Sequence, residues 1–266
     1  MSELLSVVRS RTDAPADVAL AYLGHCAPSL PQVLDSRDAA ADGDDRVVVV
    51  PLLLTCAYHA KIDIPAQLAA ARVRDVRCGD TLGPHPLLLA ALERRLREAG
   101  TAVDSAADRA ATSVVLAAAG SSDQAANATI ADLAAAWQRD RGWRAVVPAY
   151  ASATAPSPGE AVYGLLDDGA PRVAVATYLL APGYFADKIR AAAVLAGASA
   201  VSEALGAAPE VADVILARYA DARRPGRIWP EPGNTERTVA TPPLATCPIR
   251  GNRRGTDLSA RAPRRE

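Results

Sequence analysis

The residues best placed to do chemistry are Tyr58 and His59, which follow a long apolar run in the segment RVVVVPLLLTCAYHAKIDIP, residues 46–65. The run from Val47 to Leu54 is continuous and rich in β-branched residues, which predicts a strand buried on both faces of a parallel sheet. His59 falls in a short loop predicted over residues 55–62, at the carboxyl end of that strand, where open α/β sheets bind ligands. An imidazole in this place can bind a divalent metal or accept a proton near neutral pH. The same pattern also fits a polar loop residue that caps a helix.

Two helix starts supply the other candidate positions. Asp63 and Pro65 predict the first turn of the helix after the loop, because carboxylates favour helix N-termini and proline is tolerated there. Gly120 and Ser121 follow a second predicted strand and precede a helix, an arrangement in which backbone amides can bind a substrate carboxylate. An ordinary tight turn fits these two residues equally well. His85 stands between two prolines at the head of a helix, which favours a structural role.

Composition excludes several classes of function. Half of the 266 residues are apolar and 22% are charged, which predicts a globular protein with one large core or two modest ones. The whole chain has a net charge of −1, and residues 223–266 hold ten arginines against four acids, so the first 222 residues carry about seven negative charges. We therefore expect no nucleic-acid binding by the folded part. No apolar stretch is long enough to cross a membrane. The sequence has no phosphate-loop motif and no dinucleotide-binding motif, so we expect no nucleotide cofactor.

The four cysteines indicate a reducing, cytoplasmic setting. Cys26, Cys56, Cys78 and Cys247 form no C-x-x-C pair and follow no signal peptide, which argues against a disulfide framework or a structural zinc site. His25 lies beside Cys26, but that pair alone is too weak to predict a metal site.

The rest of the chain predicts strands alternating with helices. Besides the run before His59, strands are predicted at Val18 to Leu23, Val76 to Cys78, Ser113 to Ala118, Ala145 to Tyr150 and Arg172 to Leu180. Helices are predicted at Gln32 to Ser36, residues 63–72, Leu87 to Ala99, Asn127 to Arg139, Glu160 to Asp167, Tyr184 to Leu195 and Pro209 to Ala222. Residues 1–17 show no clear strand.

The predicted elements of the two halves repeat in the same order, and short identities support a duplication. Tyr22 and the run Ala-Pro-Ser from residue 27 recur 128 residues later, and Leu82-Gly83 recurs 123 residues later. Six residues of the strand segment recur 126 residues later: Arg46, Val47, Val49, Leu53, Leu54 and Tyr58 match Arg172, Val173, Val175, Leu179, Leu180 and Tyr184. Such self-similarity predicts two homologous domains. The counterpart of the strand at 113–118 would fall before residue 1, so we expect the first domain to lack its first strand.

We therefore predict an α/β fold of two homologous domains, each with a parallel sheet flanked by helices. The first domain spans residues 1–100, a linker covers 101–112, and the second domain spans 113–222. Residues 223–266 are rich in arginine and proline and lack an apolar period, which predicts a disordered tail.

Several segments together resemble one known family, the two-domain sirohydrochlorin cobaltochelatases and ferrochelatases, which are ATP-independent class II chelatases. The most specific segment is the tyrosine-histidine loop followed by Asp-Ile-Pro. The other segments are weaker singly but fall in the right order across residues 18–222. They read AYLGHCAPSLPQVLD, LLLTCAYHAKIDIP, LGPHPLL, AAGSSD and LLAPGYFADKI.

The resemblance implies insertion of a divalent metal, Co, Fe or Ni, into a tetrapyrrole, with no nucleotide. In the family one domain has two histidines, one in a His-Gly-Ser motif after the first strand and one at the position of His59. His59 would then hold the metal and serve catalysis, with Tyr58 near the substrate. The other domain keeps Gly-Ser without histidine, as at Gly120-Ser121, and a phenylalanine where Phe185 stands.

The chain departs from the family in one place, because the His-Gly-Ser motif of the first domain does not occur in it. Two hypotheses follow. The chain is a chelatase whose activity is reduced in this form, with the start assigned too far downstream, or it is a non-catalytic protein of the same fold that binds a tetrapyrrole, a metal or a protein partner.

Overall fold

A computed structural model describes residues 1–15, 17–24, 26–38, 47–73 and 76–224. The predicted disordered tail beyond residue 224 lies outside the described residues, as does His25. The helices are α1 (Ser2–Arg9), α2 (Leu30–Asp38), α3 (Ile64–Ala70), α4 (Pro86–Glu98), α5 (Ala106–Ala110), α6 (Gln124–Arg141), α7 (Pro158–Asp167), α8 (Tyr184–Leu195) and α9 (Pro209–Arg223). The strands are β1 (Val47–Val49), β2 (Val76–Cys78), β3 (Ser113–Ala118), β4 (Ala145–Tyr150), β5 (Val173–Tyr178) and β6 (Ala200–Val201).

The second half of the chain forms a four-stranded parallel sheet in the order β4-β3-β5-β6. Every residue of β3 and of β5 is buried, because helices cover both faces of the sheet. Val115 lies between Val147 and Val175 in the register. The three strands predicted in this half are confirmed, and the short β6 was not predicted.

The first half forms a smaller parallel sheet in which β1 pairs with β2. The prediction of one long strand from Val47 to Leu54, buried on both faces, is wrong. The strand ends at Val49 and its residues are half-buried. In the part of the chain that the structure describes, β2 is the one strand that pairs with β1. A strand with one partner makes backbone hydrogen bonds along one edge only, so fewer bonds stabilise its extended conformation.

The strand predicted from Val18 to Leu23 is also wrong, because the structure has only an isolated bridge there, between Tyr22 and Ser29. The repeat gives the reason. The matching strand in the second half, β4, pairs only with β3, and no described residue of the first half forms a counterpart of β3. Within the described residues the segment therefore has no strand to pair with.

Residues before this segment form helix α1, which matches the middle of α6, residues 130–137, at an offset of 128 residues. Its apolar residues Leu4 and Val8 are buried, and the helix packs against α9. Beyond the helix, Arg11 forms an ion pair with Asp213 at 2.8 Å. The first half thus retains part of the helix that follows β3 in the second half.

Hydrogen bonds around α2 and α7 confirm that the halves are related. The Tyr22 N–H donates to the carbonyl of Pro28 at 3.0 Å, and the Tyr150 N–H donates to the carbonyl of Pro156 at 2.9 Å. Each proline precedes a serine whose side chain caps the next helix, with Gln32 completing the reciprocal pair for α2 and Glu160 for α7.

One hydrophobic core contains side chains from both halves. Leu88, Leu92 and Leu96 of α4 are fully buried, and the same cluster includes Leu205 and Val211. At its margin Arg94 of α4 pairs with Glu210 of α9 at 2.6 Å. The short helix α5 lies inside the predicted linker, and the domain boundaries at residues 100 and 113 remain predictions.

Candidate functional site

The chain turns into a helix one turn earlier than predicted at the candidate site. His59–Asp63 forms a wide helical turn, in which the Ile64 N–H donates to the His59 carbonyl five residues back, and α3 continues from it. His59 therefore lies in the first turn of a helix rather than in a loop. Asp63, expected in the first turn of the helix, ends this wide turn just before α3 begins at Ile64, and its carboxylate makes no capping bond.

The Asp63 carboxylate instead contacts Nδ1 of His59, four residues back on the same helical face. The His59 side chain is 65% exposed and that of Asp63 is 30% exposed. An ionised carboxylate only accepts hydrogen bonds, so this contact fits the neutral tautomer in which Nδ1 of the imidazole carries the proton. In that tautomer Nε2 has a lone pair that can bind a metal.

Tyr58 stands directly beside this imidazole. The two ring centroids are 6.1 Å apart, and the planes meet edge to face at 76°. The tyrosine is 62% exposed, so its ring presents an aromatic surface to solvent next to the His59 imidazole. This placement suits contact with a flat aromatic substrate.

The matching helix start in the second half has the same layout with apolar residues. Tyr184 and Phe185 lie at the start of α8 with ring centroids 5.6 Å apart, and both are exposed. Phe185 matches His59 and Ile189 matches Asp63 at an offset of 126 residues. Ile189 is fully buried in the core. The second half thus has apolar residues at the two positions that match His59 and Asp63.

An ion pair connects the His59 turn to the second half. Nζ of Lys61 lies 2.7 Å from Oδ2 of Asp123, and Oδ1 of the same aspartate caps α6 by accepting the Ala125 N–H at 3.0 Å. The hydrogen bond raises the pKa of Lys61 and lowers the pKa of Asp123. Both groups are therefore charged near neutral pH, and the turn that carries His59 is held beside the turn after β3.

Gly120 and Ser121 form a closed turn at that place. Gly120 has φ +84°, and a Cβ there would clash with the Ser152 carbonyl, so glycine is required. The Ser121 N–H donates to Oδ1 of Asn127 at 3.0 Å, and the Asn127 side-chain amide donates to the Ser121 carbonyl at 2.7 Å. The amide that the sequence offered to a substrate carboxylate is already paired, which favours the tight-turn interpretation for Ser121.

His85 has the structural role that its position predicted. Its Nδ1 caps α4 by accepting the Leu87 N–H at 3.2 Å. Burial and the nearby Arg218 guanidinium lower its pKa, and Asp221 opposes this shift. Among the described residues no three His, Cys, Asp or Glu side chains are grouped to hold a metal ion, and no helix in this part is long and apolar enough to span a membrane.

Sequence reasoning missed Lys61 and Asp123 as a pair and did not place Asp63 against His59. Two signals could have found them. The histidine and the carboxylate are four residues apart, a spacing that meets on a helix but not in a loop. Of the 29 lysines and arginines in the chain only two are lysines, Lys61 and Lys188.

Comparisons with known proteins identify the family. A family model described as CbiX matches residues 1–99 and 113–222. A sirohydrochlorin cobaltochelatase of Priestia megaterium is 29% identical over 185 residues, which cover 68% of this chain and 59% of that protein. A sirohydrochlorin ferrochelatase of the same organism is 28% identical over 200 residues, covering 68% of this chain and 73% of that protein.

Solved structures show the same fold. SirB from Bacillus subtilis with Fe3+ superposes with a TM-score of 0.70 at 23% identity, covering 83% of this chain and 87% of that chain. The sirohydrochlorin chelatase SirB of Bacillus subtilis subspecies spizizenii in complex with cobalt gives a TM-score of 0.63 at 21% identity, covering 84% and 89%. With a family model matched over most of its length and this fold in both halves, the chain belongs to the CbiX family.

Proposed function

We propose that this protein is a metal chelatase that inserts cobalt or iron into sirohydrochlorin. The observation that carries the proposal is the exposed His59 imidazole, whose Nδ1 is held by Asp63 so that Nε2 can bind a metal beside the aromatic ring of Tyr58. The choice of sirohydrochlorin as substrate is supported by the relatives that are named as chelatases of this tetrapyrrole.

The reaction balances without a nucleotide or a redox partner. A divalent ion replaces two protons on the pyrrole nitrogens, so the products are the metal complex and two protons. Nε2 of His59 holds the ion while its water ligands leave, and Asp63 keeps the ring oriented. While Nε2 is bound to the metal it cannot accept a proton, so one imidazole performs the two tasks in sequence. Insertion by this chain should accordingly be slow.

The same proposal assigns the remaining positions. Tyr58 contacts the flat face of the tetrapyrrole. Gly120 and Ser121 shape the opposite wall of the site next to Asp123, and the paired Ser121 amide is not used for substrate. The choice among cobalt, iron and nickel, the lack of a nucleotide cofactor and the cytoplasmic setting remain predictions.

One observation favours a second candidate, a non-catalytic protein that binds a tetrapyrrole or a metal without insertion. The part of the chain that the structure describes contains two histidines, His59 and His85, and the Nδ1 of His85 is occupied in capping α4. A single imidazole suffices for weak binding but leaves proton removal without a second positioned base.

An insertion assay separates the two candidates. The purified chain is mixed with cobalt and sirohydrochlorin without oxygen, and the absorption spectrum of the tetrapyrrole is followed in time. We expect insertion above the rate without protein, its loss in His59→Ala, and its retention in the matched control His85→Asn, which keeps a helix cap. A wild-type rate equal to that without protein, together with binding of the tetrapyrrole, would support the non-catalytic candidate.

A further inference from the structure

The ion pair between Lys61 and Asp123 lies two residues from His59 and connects the two halves of the molecule. Nζ of Lys61 approaches Oδ2 of Asp123 at 2.7 Å, and the two side chains are 40% and 27% exposed. An ion pair this exposed adds little to stability, because water already solvates both charges well. Its effect is therefore on where the His59 turn lies rather than on whether the chain folds.

Asp123 is a fixed point for this contact. Its Oδ1 accepts the Ala125 N–H, and its own N–H donates to Oγ of Ser121 at 3.0 Å. It precedes the 18-residue helix α6, whose residues Ile130 and Trp137 are buried in the core. The Asp123 carboxylate is thus held in place by α6, which packs on the four-stranded sheet.

Lys61 belongs to a less supported part of the fold. The turn that carries it follows β1, which has one strand partner among the described residues and is half-buried. Within the turn, the Lys61 N–H donates to the Ala57 carbonyl at 3.0 Å, which fixes the local helix but not its place relative to the second half. Lys61 adds a contact with the second half from within the turn itself.

The composition of the chain agrees with a special use of this lysine. Arginine supplies all but two of the 29 Lys and Arg residues, and Lys61 is one of those two. An ammonium is a compact point charge on a flexible stem, which can reach one carboxylate oxygen without the flat, forked contact of a guanidinium.

We infer that Lys61 and Asp123 are a positioning pair that holds the His59 imidazole against the second half while the metal is transferred. The inference rests on the proposed function. Metal binding by Nε2 needs only the first half, whereas insertion needs the imidazole aligned with a substrate that both halves contact. Loss of the pair should therefore lower kcat and leave cobalt affinity unchanged.

The test compares four variants with the wild-type protein. Lys61→Met removes the charge, Asp123→Asn removes the charge but keeps a helix cap, the double variant removes both, and Lys61→Arg restores a cation. The control is Arg190→Met, which breaks an exposed ion pair of similar length with Glu203 at 2.6 Å. For each protein we measure the dissociation constant for cobalt, kcat and KM for sirohydrochlorin, and hydrogen exchange over residues 57–64.

We expect kcat to fall about tenfold to a hundredfold in Lys61→Met and in Asp123→Asn, as misplacement of a reacting group by about 1 Å produces. The double variant should fall no further, Lys61→Arg should recover part of the rate, and the control should match wild type. Cobalt affinity should change by less than about twofold, the usual scatter for a remote surface change. Exchange over 57–64 should become faster in Lys61→Met.

Three results would overturn the inference. One is a Lys61→Met enzyme with wild-type kcat, and another is a double variant whose losses multiply. The third is a raised KM at constant kcat, which would make Lys61 a substrate contact instead. If the wild-type protein inserts no metal, the proposed function fails, and the exchange measurement still decides whether the pair positions the turn: unchanged exchange in Lys61→Met contradicts it.

Discussion

The two halves of the molecule repeat one frame with different support. In the second half, β5 lies between β3 and β6 and is wholly buried. Its counterpart β1 pairs with β2 alone among the described residues and is half-buried. The candidate chemistry nevertheless follows β1 rather than β5. The half with the larger sheet lies beside the turn that carries His59, and the half with the smaller sheet supplies that candidate side chain.

The helices that follow these two strands differ at two matching positions. Four positions apart on one helical face, the first half has His59 and Asp63, and the second half has Phe185 and Ile189. Ile189 is in the core, whereas the Asp63 carboxylate contacts the imidazole. A carboxylate can orient an imidazole for metal binding, and the second half has apolar residues at both of these positions.

The largest expected difference is in hydrogen exchange. Amides of β5 should exchange only when the whole core opens, while those of β1 open locally because one edge of the strand lacks a strand partner in the described residues. We expect exchange in β1 to be faster by roughly a thousandfold, about 4 kcal/mol in opening free energy. Mass spectrometry of the exchanged protein measures this, and equal protection of β1 and β5 would remove the contrast between the halves.

A glycine at the junction of the halves gives the next largest effect. A Cβ on Gly83 would clash with the Leu54 carbonyl and the Tyr178 hydroxyl, whereas on Gly206, its counterpart, the nearest atom is the flexible end of Arg95. Gly83→Ala should lower the free energy of unfolding by about 3 kcal/mol, because backbone must move. Gly206 has φ +59°, so Gly206→Ala should lower the free energy of unfolding by about 1 kcal/mol. Urea denaturation compares the two, and equal losses would show that the junction yields.

Replacing the orienting carboxylate should weaken metal binding without unfolding the helix. Asp63→Asn removes the charge beside Nδ1 of His59, and loss of such a partner typically lowers metal affinity about 10- to 100-fold. The matched control is Asp187→Asn, which removes an exposed carboxylate from the first turn of α8. Equilibrium dialysis with cobalt measures both variants. Unchanged affinity in Asp63→Asn would mean that the carboxylate does not act through the imidazole.

The smallest expected effect is a pH dependence of stability that arises from His85, the N-cap of α4. Burial and Arg218 lower the pKa of His85, so the folded state favours the neutral imidazole that caps α4. Stability from this cap is complete above the unfolded value of about 6.5 and is lost as the pH falls below it, because the unfolded chain then binds the proton more readily.

Two comparisons control for this effect, the N-cap of the matching helix in the second half and a variant of His85. The N-cap of α9, the counterpart of α4, is Ala208, which cannot titrate. His85→Asn keeps a cap and should flatten the change in denaturation midpoint between pH 8 and pH 5. A variant with the same slope as wild type would place the titrating group elsewhere.

The fold was predictable where local pattern and pairing agree. The β-branched runs at β3, β4 and β5 gave strands because each has a neighbour in the sheet. The runs at Val47 to Leu54 and Val18 to Leu23 have the same apolar character, yet they form a three-residue strand and a single bridge. Propensity describes one strand at a time, and a strand needs a partner to exist.

The site was predictable in part. Position after a buried run selected His59 and Tyr58, and both are exposed at the carboxyl end of the strand segment. The loop prediction concealed the contact between His59 and Asp63, since the wide turn before Pro65 has no clear sequence signal. The pair of Lys61 and Asp123 joins residues 62 positions apart, a contact that only the fold of both halves creates.

We expect the His59 imidazole to be the group that separates the two halves in function, and His59→Phe removes that difference because it copies Phe185. Cobalt binding and the rate of cobalt insertion into sirohydrochlorin are measured for wild type, His59→Phe and His85→Asn. We expect weak binding and slow insertion by wild type and by His85→Asn. In His59→Phe we expect loss of cobalt binding and a rate lower by about 100- to 10,000-fold or indistinguishable from that without protein. A His59→Phe protein that binds cobalt and inserts it at the wild-type rate would contradict this expectation.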